Sequence, residues 1–410
     1  MQPIQIAILS FTVCLIVVLL KVGFGTFSDT LQNRKTSKRR LAAEHAANHE
    51  LNGRLQQTYI DLSLSRRQTK WRDVMVVKVV EESEDVRSFY FVDQDYEPLP
   101  AALPGQHILV ERSKQADSAS CFRCYTLSDD CTAGHWRISV KKASQQPQSM
   151  SRWLHDEIAA GDMLRVRGPS GSFYLQPAAD RNVVCVSAGI GITPILPMLM
   201  ESIRRPCASI HCFAQFRDVA HMPFADSLSS LAAKHPQVSM NIWISRFPKG
   251  VRTSPIGMFF EGKFQATDLL RHPGAMSHSD FYLCGPEEWQ DRIRMELMDA
   301  GIQSESIRFE LFQQSEKGLT STTNTLEHNI LFKQSGANAR FESSHQNLLA
   351  CAGKNSVSLS SGCRTGACGS CAIKLLRGKV RYTRKPQFDL HSSEILPCVC
   401  VPESDLEVDA

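Results

Sequence analysis

Apolar residues fill the chain from Ile4 to Leu20, interrupted only by Gln5, Ser10 and Thr12, and Val22 to Phe27 extends the run past Lys21. That length predicts a membrane-spanning helix, which takes about 17 to 25 residues, with Lys21 snorkelling to the interface. A cleaved signal peptide is the rival reading. It wants a basic leader, and Met1 to Pro3 carries no basic side chain. Leu41 to Leu55, rich in alanine and carrying Glu44 and Glu50, predicts a helical stalk weakened at Gly53. From Trp71 the pattern turns to short β-branched runs at Val74 to Val80, Val86 to Val92, His107 to Val110, Cys121 to Leu127 and Arg137 to Val140. Turn-rich pieces such as Leu103-Pro104-Gly105 separate them, which predicts a small antiparallel barrel. Ser151, just ahead of Arg152-Trp153-Leu154-His155-Asp156, reads as a helix N-cap.

The period changes again at Asn182. A continuous apolar run to Ser187 meets the glycine turn Ala188-Gly189-Ile190-Gly191-Ile192-Thr193-Pro194, and a helical run continues to about Arg204. Further strand-like runs at Ser209 to Ala214, Met240 to Ile244 and Asp280 to Cys284 alternate with helices, including Trp289 to Ala300, and predict a parallel sheet. Gln313 to Thr325 is polar and rich in Ser, Thr and Gly, as a flexible linker is. Beyond it, strands at Asn329 to Lys333 and Ala372 to Leu376 flank a cysteine-rich loop. The expected architecture is multidomain α/β plus β. A transmembrane anchor (1–27) and a basic, helical stalk (28–69) precede an antiparallel β-barrel (70–176) and a parallel α/β domain (177–312). A linker (313–327) then leads to a final domain (328–410).

The 410 residues fit about three domains, and 42% hydrophobic against 21% charged residues allows packed cores. A net charge of +4 is too small to indicate nucleic acid. The basic residues cluster instead: Arg34, Lys35, Lys38, Arg39 and Arg40 lie within the distance over which positive charge sets topology. The expectation is a single-pass protein of the cell inner membrane with its large C-terminal portion in the cytoplasm. The cluster would add roughly 1 kcal/mol of attraction to anionic lipid per basic residue near the surface. Fourteen cysteines in so long a chain indicate free thiols in a reducing compartment, apart from those with a metal assignment.

That assignment falls on Cys363-Arg364-Thr365-Gly366-Ala367-Cys368-Gly369-Ser370-Cys371, answered by Cys398. Four residues, then two, between successive cysteines, with a last one far downstream, is the plant-type [2Fe–2S] spacing. Gly362, Gly366 and Gly369 let the backbone fold around inorganic sulfur. In the barrel, Arg123-Cys124-Tyr125-Thr126-Leu127-Ser128 offers an arginine for phosphate, an aromatic ring for stacking and a hydroxyl for a ring nitrogen, which a flavin requires. On a strand, residues 123 and 125 share one face, and 124 and 126 the other. Gly168-Pro169-Ser170-Gly171-Ser172-Phe173 follows, and the amides of the helix near Ser151 suit a pyrophosphate. The turn at Gly189 and Gly191 is a second anion site by geometry, at the carboxyl end of a parallel strand. Cys284-Gly285-Pro286 ends another such strand, where small residues leave room for a planar ring.

Taken in order, Arg-x-Tyr-Thr, Gly-Ile-Gly-Ile-Thr-Pro, Tyr282-Leu283-Cys284-Gly285-Pro286 and the cysteine loop resemble the ferredoxin reductase-like flavoproteins with a C-terminal plant-type ferredoxin domain. The likeness covers roughly residues 70 to 410. It is strongest to the NADH oxidoreductase that serves the hybrid-cluster protein, and extends to reductase components of oxygenases and demethylases. The resemblance implies that Arg123 binds flavin phosphate, Tyr125 packs on the isoalloxazine and Thr126 approaches N5. Backbone around Val140 and Ser151 would hold the rest of an FAD, FMN being the lesser choice. Gly189, Gly191, Thr193 and Pro194 would line the dinucleotide pyrophosphate. Cys284, Gly285 and Pro286 would face the nicotinamide, and Glu310 and Phe312 would close the site. Tyr125, Thr126, Cys284 and Glu310 are the expected catalytic residues. Cys363, Cys368, Cys371 and Cys398 are the expected ligands, with Cys398 chosen over Cys400 because it follows Ile395-Leu396. The family often has glycine shortly before the position of Ser151, where this chain has Gln148-Ser149-Met150. The implied activity converts a two-electron nicotinamide donor into one-electron steps toward a partner redox protein: a hybrid-cluster protein, an oxygenase or a desaturase. A carrier module without nucleotide turnover is the alternative. The resemblance points to NADH; Arg217 and Ser245-Arg246, near the ends of two strands, offer an arginine to the 2′-phosphate of NADPH, with solvated surface arginine as the commoner reading. No hydrolytic acid or base is needed, so His211 and His221 are expected to be ordinary surface or core histidines.

Overall fold

The structure, a computed structural model, describes residues 71–112, 121–130, 134–143, 149–176, 178–205, 207–246, 258–270, 272–312, 327–386, 388 and 390–410. The expected span at 1–27, the stalk at 28–69 and all but the last residue of the linker lie outside them. Among the described residues, no helix is long and apolar enough to cross a membrane.

Six strands form the first sheet: β1 (Trp71–Ser83), β2 (Val86–Asp93), β3 (His107–Arg112), β4 (Cys121–Thr126), β5 (Trp136–Lys141) and β6 (Met163–Ser170). Their order is β4-β3-β6-β1-β2-β5, antiparallel throughout. A bridge from Leu127 to Ile138 joins the two outer strands, so the sheet curls toward a barrel, as expected. Alternate residues point inward: Val74 and Val76, Phe89 and Phe91, Ile108 and Val110, Leu164 and Val166 share one core. Five of these strands coincide with the runs predicted from the hydrophobic pattern; the sixth has no such run. That sixth is β6, whose two buried apolar residues sit among Met163, Arg165 and Arg167 and make too short an alternation. The helix α1 (Met150–Glu157) is capped by Ser149, whose side chain accepts from the Arg152 amide, not by Ser151. Ser151 lies inside the first turn, and its hydroxyl accepts from the Ala143 amide at 3.1 Å instead.

The second sheet contains β7 (Asn182–Ala188), β8 (Ile210–Phe216), β9 (Val238–Ile244), β10 (Met258–Glu261), β11 (Ser279–Cys284) and β12 (Ile307–Glu310). Its order is β10-β9-β8-β7-β11-β12, every pairing parallel. Helices α2 (Ile192–Arg204), α3 (Ala225–Lys234), α4 (Ala266–Leu270), α5 (Pro273–Met276) and α6 (Glu287–Asp299) connect them. A sheet covered on both faces needs strands apolar on both faces, hence the unbroken run in β7. Val183 and Cys185 enter one core with Ile195 and Leu199, while Val184 and Val186 enter the other with Phe213 and Trp243. The strand order reverses between β7 and β11, so the crevice expected to receive a ligand opens above their carboxyl ends.

The last domain has β13 (His328–Phe332), β14 (Ala337–Phe341), α7 (Leu348–Lys354), β15 (Ile373–Arg377), β16 (Val380–Tyr382), β17 (Glu394–Ile395), β18 (Cys400–Pro402) and β19 (Leu406–Asp409). The main sheet runs β14-β13-β19-β15-β17, with β13 and β19 parallel at its centre, and α7 buries Leu348, Cys351 and Ala352 against it. This is a β-grasp arrangement, the fold that the resemblance to a plant-type ferredoxin domain implies for residues 328–410.

The crevice between β7 and β11 is closed at its base by a close approach. A methyl group on Gly191 would overlap the carbonyl oxygen of Cys284, a backbone atom that cannot turn aside. Gly189, two residues earlier, has φ +56 and open space around its Cα. Gly191→Ala is therefore expected to destabilise the chain by roughly 1–3 kcal/mol through overpacking. Gly189→Ala should cost only the left-handed strain of about 1–2 kcal/mol, without parting the loops. Thermal unfolding of both variants, with coenzyme affinity measured alongside, checks the contrast: only Gly191→Ala should both lower Tm and open the crevice.

Candidate functional site

A cavity of about 910 Å³ runs between the barrel and the parallel sheet. Its barrel wall comes from β4, with Arg123, Cys124, Tyr125 and Thr126, from β5 at Ser139 and Val140, and from the start of α1 with Ser149, Met150 and Ser151. Its opposite wall is the carboxyl edge of the parallel strands: Gly189, Ile190 and Thr193 after β7, Arg217 after β8, Ser245 and Arg246 after β9, and Gly285 and Pro286 after β11. Phe312 completes the lining. Ten of the residues anticipated from sequence thus meet on one cavity: Arg123, Tyr125, Thr126, Val140, Ser151, Gly189, Thr193, Gly285, Pro286 and Phe312. Lys263, exposed and lining the same cavity as Arg246 and Arg217, joins them and has no signal in the sequence.

Three anticipated residues do not reach this wall. Pro194 is buried in the first turn of α2. Gly191 is packed on the Cys284 carbonyl. Cys284 itself is wholly buried, its sulfur 3.9 Å from the Glu310 carbonyl oxygen. Burial, and then the charge of Glu310, push the Cys284 thiol well above the usual thiol range, so it is a neutral group beneath the floor and not a nucleophile. The Thr193 hydroxyl donates to the Ile190 carbonyl at 2.8 Å and so fixes the turn that carries Gly189.

Glu310 lies on a second cavity of about 510 Å³, lined by His107, Cys124, Thr126, Glu310, Phe312, Cys363, Thr365 and Ala367 among others. Thr126 donates to one Glu310 oxygen at 3.4 Å, and His107 stands 3.5 Å from the other. His107 is 3% exposed, and its Nε2 has no hydrogen-bond partner in the described structure. Nothing at position 107 in the sequence announces this, because its partner is supplied by another domain. Cys124, Thr126 and Phe312 line both cavities and connect them. Of the other histidines, His211 meets the Ser209 hydroxyl at 2.8 Å and His221 the Asp218 carboxylate at 2.6 Å, ordinary local partners.

The cysteine loop folds around its own sulfurs. The Cys363 sulfur accepts from the amides of Thr365, Ala367 and Cys368 at 3.3–3.4 Å, and the Cys368 sulfur accepts from the Cys363 amide at 3.3 Å. Gly366 and Gly369, at φ +81 and +68, make the reversals that aim these amides inward. The Cys371 and Cys398 sulfurs lie 3.2 Å apart. Cys400 is fully buried in the neighbouring sheet core with Ile395 and Val401, whereas Cys371 and Cys398 belong to a separate cluster. Two sulfur pairs, Cys363 with Cys368 among inward-facing amides and Cys371 with Cys398, suit a cluster whose ligands are thiolates, and the amide donors would offset their charge. Residues Arg123, Tyr125, Thr126 and the α1 start, facing a cavity of this size, likewise suit a flavin dinucleotide.

The same elements recur in known proteins. Residues 73–174 match the oxidoreductase FAD-binding domain, and residues 332–403 match the 2Fe-2S iron-sulfur cluster binding domain. A flavohemoprotein of Rhodopirellula baltica is 33% identical over 254 residues, 60% of this chain and 61% of that protein. The chain therefore spans about three fifths of the length of such relatives. The flavohem-like FAD/NAD binding domain of nitric oxide dioxygenase from Vibrio cholerae O1 biovar El Tor superposes with a TM-score of 0.52 at 26% identity, covering 59% of this chain and 98% of that one. Phthalate dioxygenase reductase, at 22% identity and a TM-score of 0.54, covers 83% of this chain and 98% of its own, and shares the fold of all three domains. One chain thus joins a segment matching the oxidoreductase FAD-binding domain, residues 73–174, to a C-terminal segment matching the 2Fe-2S iron-sulfur cluster binding domain, residues 332–403.

Proposed function

We propose that the chain is an NAD(P)H-dependent flavin and iron–sulfur reductase that passes electrons to a partner redox protein. The observation that carries this reading is the shared wall of the two cavities. Cys124, Thr126 and Phe312 border both the crevice at the carboxyl ends of β7 and β11 and the space beside the cysteine loop. Bound nicotinamide and flavin would supply hydride chemistry, and a bound [2Fe–2S] cluster single-electron chemistry.

The chain's own residues would bind and orient these groups. Arg123 would take flavin phosphate, with Ser151 and the backbone at Val140 holding the remainder of FAD, and Tyr125 packing on the ring. Thr126, held by Glu310, would stand at the ring's reactive edge, and His107 would fix the second oxygen of that carboxylate. Gly189, Gly191, Thr193 and Pro194 would shape the turn that receives the dinucleotide. Gly285 and Pro286 would leave room for the nicotinamide, with buried Cys284 setting the depth of the floor. Cys363, Cys368, Cys371 and Cys398 would ligate the cluster.

For the coenzyme, the resemblance favours NADH. A second reading, NADPH, rests on Arg217, Ser245, Arg246 and Lys263, which all line the larger cavity and offer it three cations and a hydroxyl suited to a 2′-phosphate. The partner on this reading is a hybrid-cluster protein, with an oxygenase or desaturase as the alternative. Ile4 to Leu20 would tether the chain in the inner membrane, with the described domains in the cytoplasm.

Stopped-flow mixing with each coenzyme tests the function directly: flavin absorbance should bleach with at least one, and bleaching with neither leaves only a carrier. Cys368→Ser should reduce electron delivery to a one-electron acceptor such as cytochrome c to background, as read by acceptor absorbance. If the 2′-phosphate reading holds, Arg246→Ala should raise KM for NADPH relative to NADH by roughly 10- to 150-fold, the loss of one charge-assisted hydrogen bond. Equal changes for both coenzymes would return the choice to NADH.

A further inference from the structure

The cysteine loop is gripped by three neighbouring barrel strands. From β6, Arg167 donates to the Cys368 carbonyl at 3.3 Å and to the Ser370 hydroxyl at 3.1 Å. From β3, the Leu109 side chain packs so closely on Gly362 that a methyl there would lie 2.8 Å from its Cδ1. From β4, the Cys124 sulfur lies with those of Cys363 and Cys368 in one group, all within 4.8 Å of one another. Cys124 comes from the strand that carries Arg123 and Tyr125, and it borders both cavities. The cysteine spacing that supplies a complete set of four ligands does not include it, so the group holds one sulfur too many.

We propose that Cys124 is a positioning residue for the 2Fe–2S site: a thiol of the flavin domain whose single S–H donates to one of the two ligand sulfurs beside it, Cys363 or Cys368, and raises the cluster's reduction potential. The proposal rests on the ligand assignment made above. A cysteine that ligates no metal carries one S–H, and among the described residues the only sulfurs grouped with it are those of two ligands. Hydrogen bonds to ligand sulfur favour the more negative, reduced cluster and so move its potential upward. The donor belongs to the domain that delivers the electron, so docking and potential are set together. In the plain alternative, cysteine is a small apolar filler at a domain junction, and its S–H changes nothing.

The test uses the full chain loaded with flavin and cluster, titrated anaerobically and followed by the electron paramagnetic resonance of the reduced cluster. Cys124→Ala and Cys124→Val remove the donor, valine keeping the volume in case alanine prevents folding, and Cys124→Ser restores a donor. Flavin content of each sample reports the barrel's integrity. Expected is full iron and sulfide stoichiometry with the reduced-to-oxidised ratio at fixed potential lowered about tenfold in Cys124→Val and Cys124→Ala. That ratio corresponds to about 59 mV for a one-electron couple, and serine should recover part of it. A wild-type midpoint in either apolar variant would overturn the proposal. So would a fall in iron content, which would make residue 124 a ligand. A wild-type chain that takes up no cluster would instead defeat the ligand assignment itself.

Discussion

One six-residue strand serves two sites because a strand's side chains must alternate. β4 lies at the edge of the barrel sheet, and Cys124 and Thr126 share one of its faces. Thr126 reaches Glu310 of the parallel-sheet domain, and Cys124 reaches the cysteine loop of the last domain. A register slip of one residue would exchange these for Arg123 and Tyr125 and disconnect the two cavities. The pairing of β4 with β3 from His107–Thr126 through Arg112–Cys121 holds that register. The core beneath it, with Ile108, Val110 and Val166 each wholly buried, makes a slip costly.

The parallel sheet contributes a different constraint. Its strands are apolar on both faces, so their side chains are committed to the two cores and what remains for chemistry is the turn at each carboxyl end. The cavity is accordingly lined there by Gly189, Thr193, Gly285 and Pro286, which are small or compact, and by cations that stand out from β8 and β9. Cys284, at the last position of β11, falls on the committed side of that boundary.

Much of this was legible in the sequence because the signals are local. The β7 run, the glycine turn and the first three cysteines of the cluster spacing each lie within a dozen residues, and period or spacing alone identifies them. The barrel strands were legible where alternation is long, and β6 was lost because Arg165 and Arg167 interrupt it. Arg167 interrupts the pattern for a reason: it leaves the barrel to bind the Cys368 carbonyl. The cap of α1 moved from Ser151 to Ser149 because two nearby serines compete and only the geometry of the Arg152 amide chooses between them. His107, Lys263 and the proximity of Cys124 to the cysteine loop had no local signal. They acquire meaning only when segments far apart in the chain are brought together.

The contact between Thr126 and Glu310 spans 184 positions, and that between Arg167 and Ser370 spans 203. Loop closure over such separations is entropically expensive, and the groups that make it belong to different domains. The barrel's own strands supply no carboxylate to Thr126, whose partner is Glu310 of the parallel-sheet domain. An isolated ferredoxin domain would present its loop to water where Leu109 and Arg167 now cover it. The working centre is thus a property of assembly: maturation is complete only when separately formed pieces have docked, whichever of them acquires its own prosthetic group first.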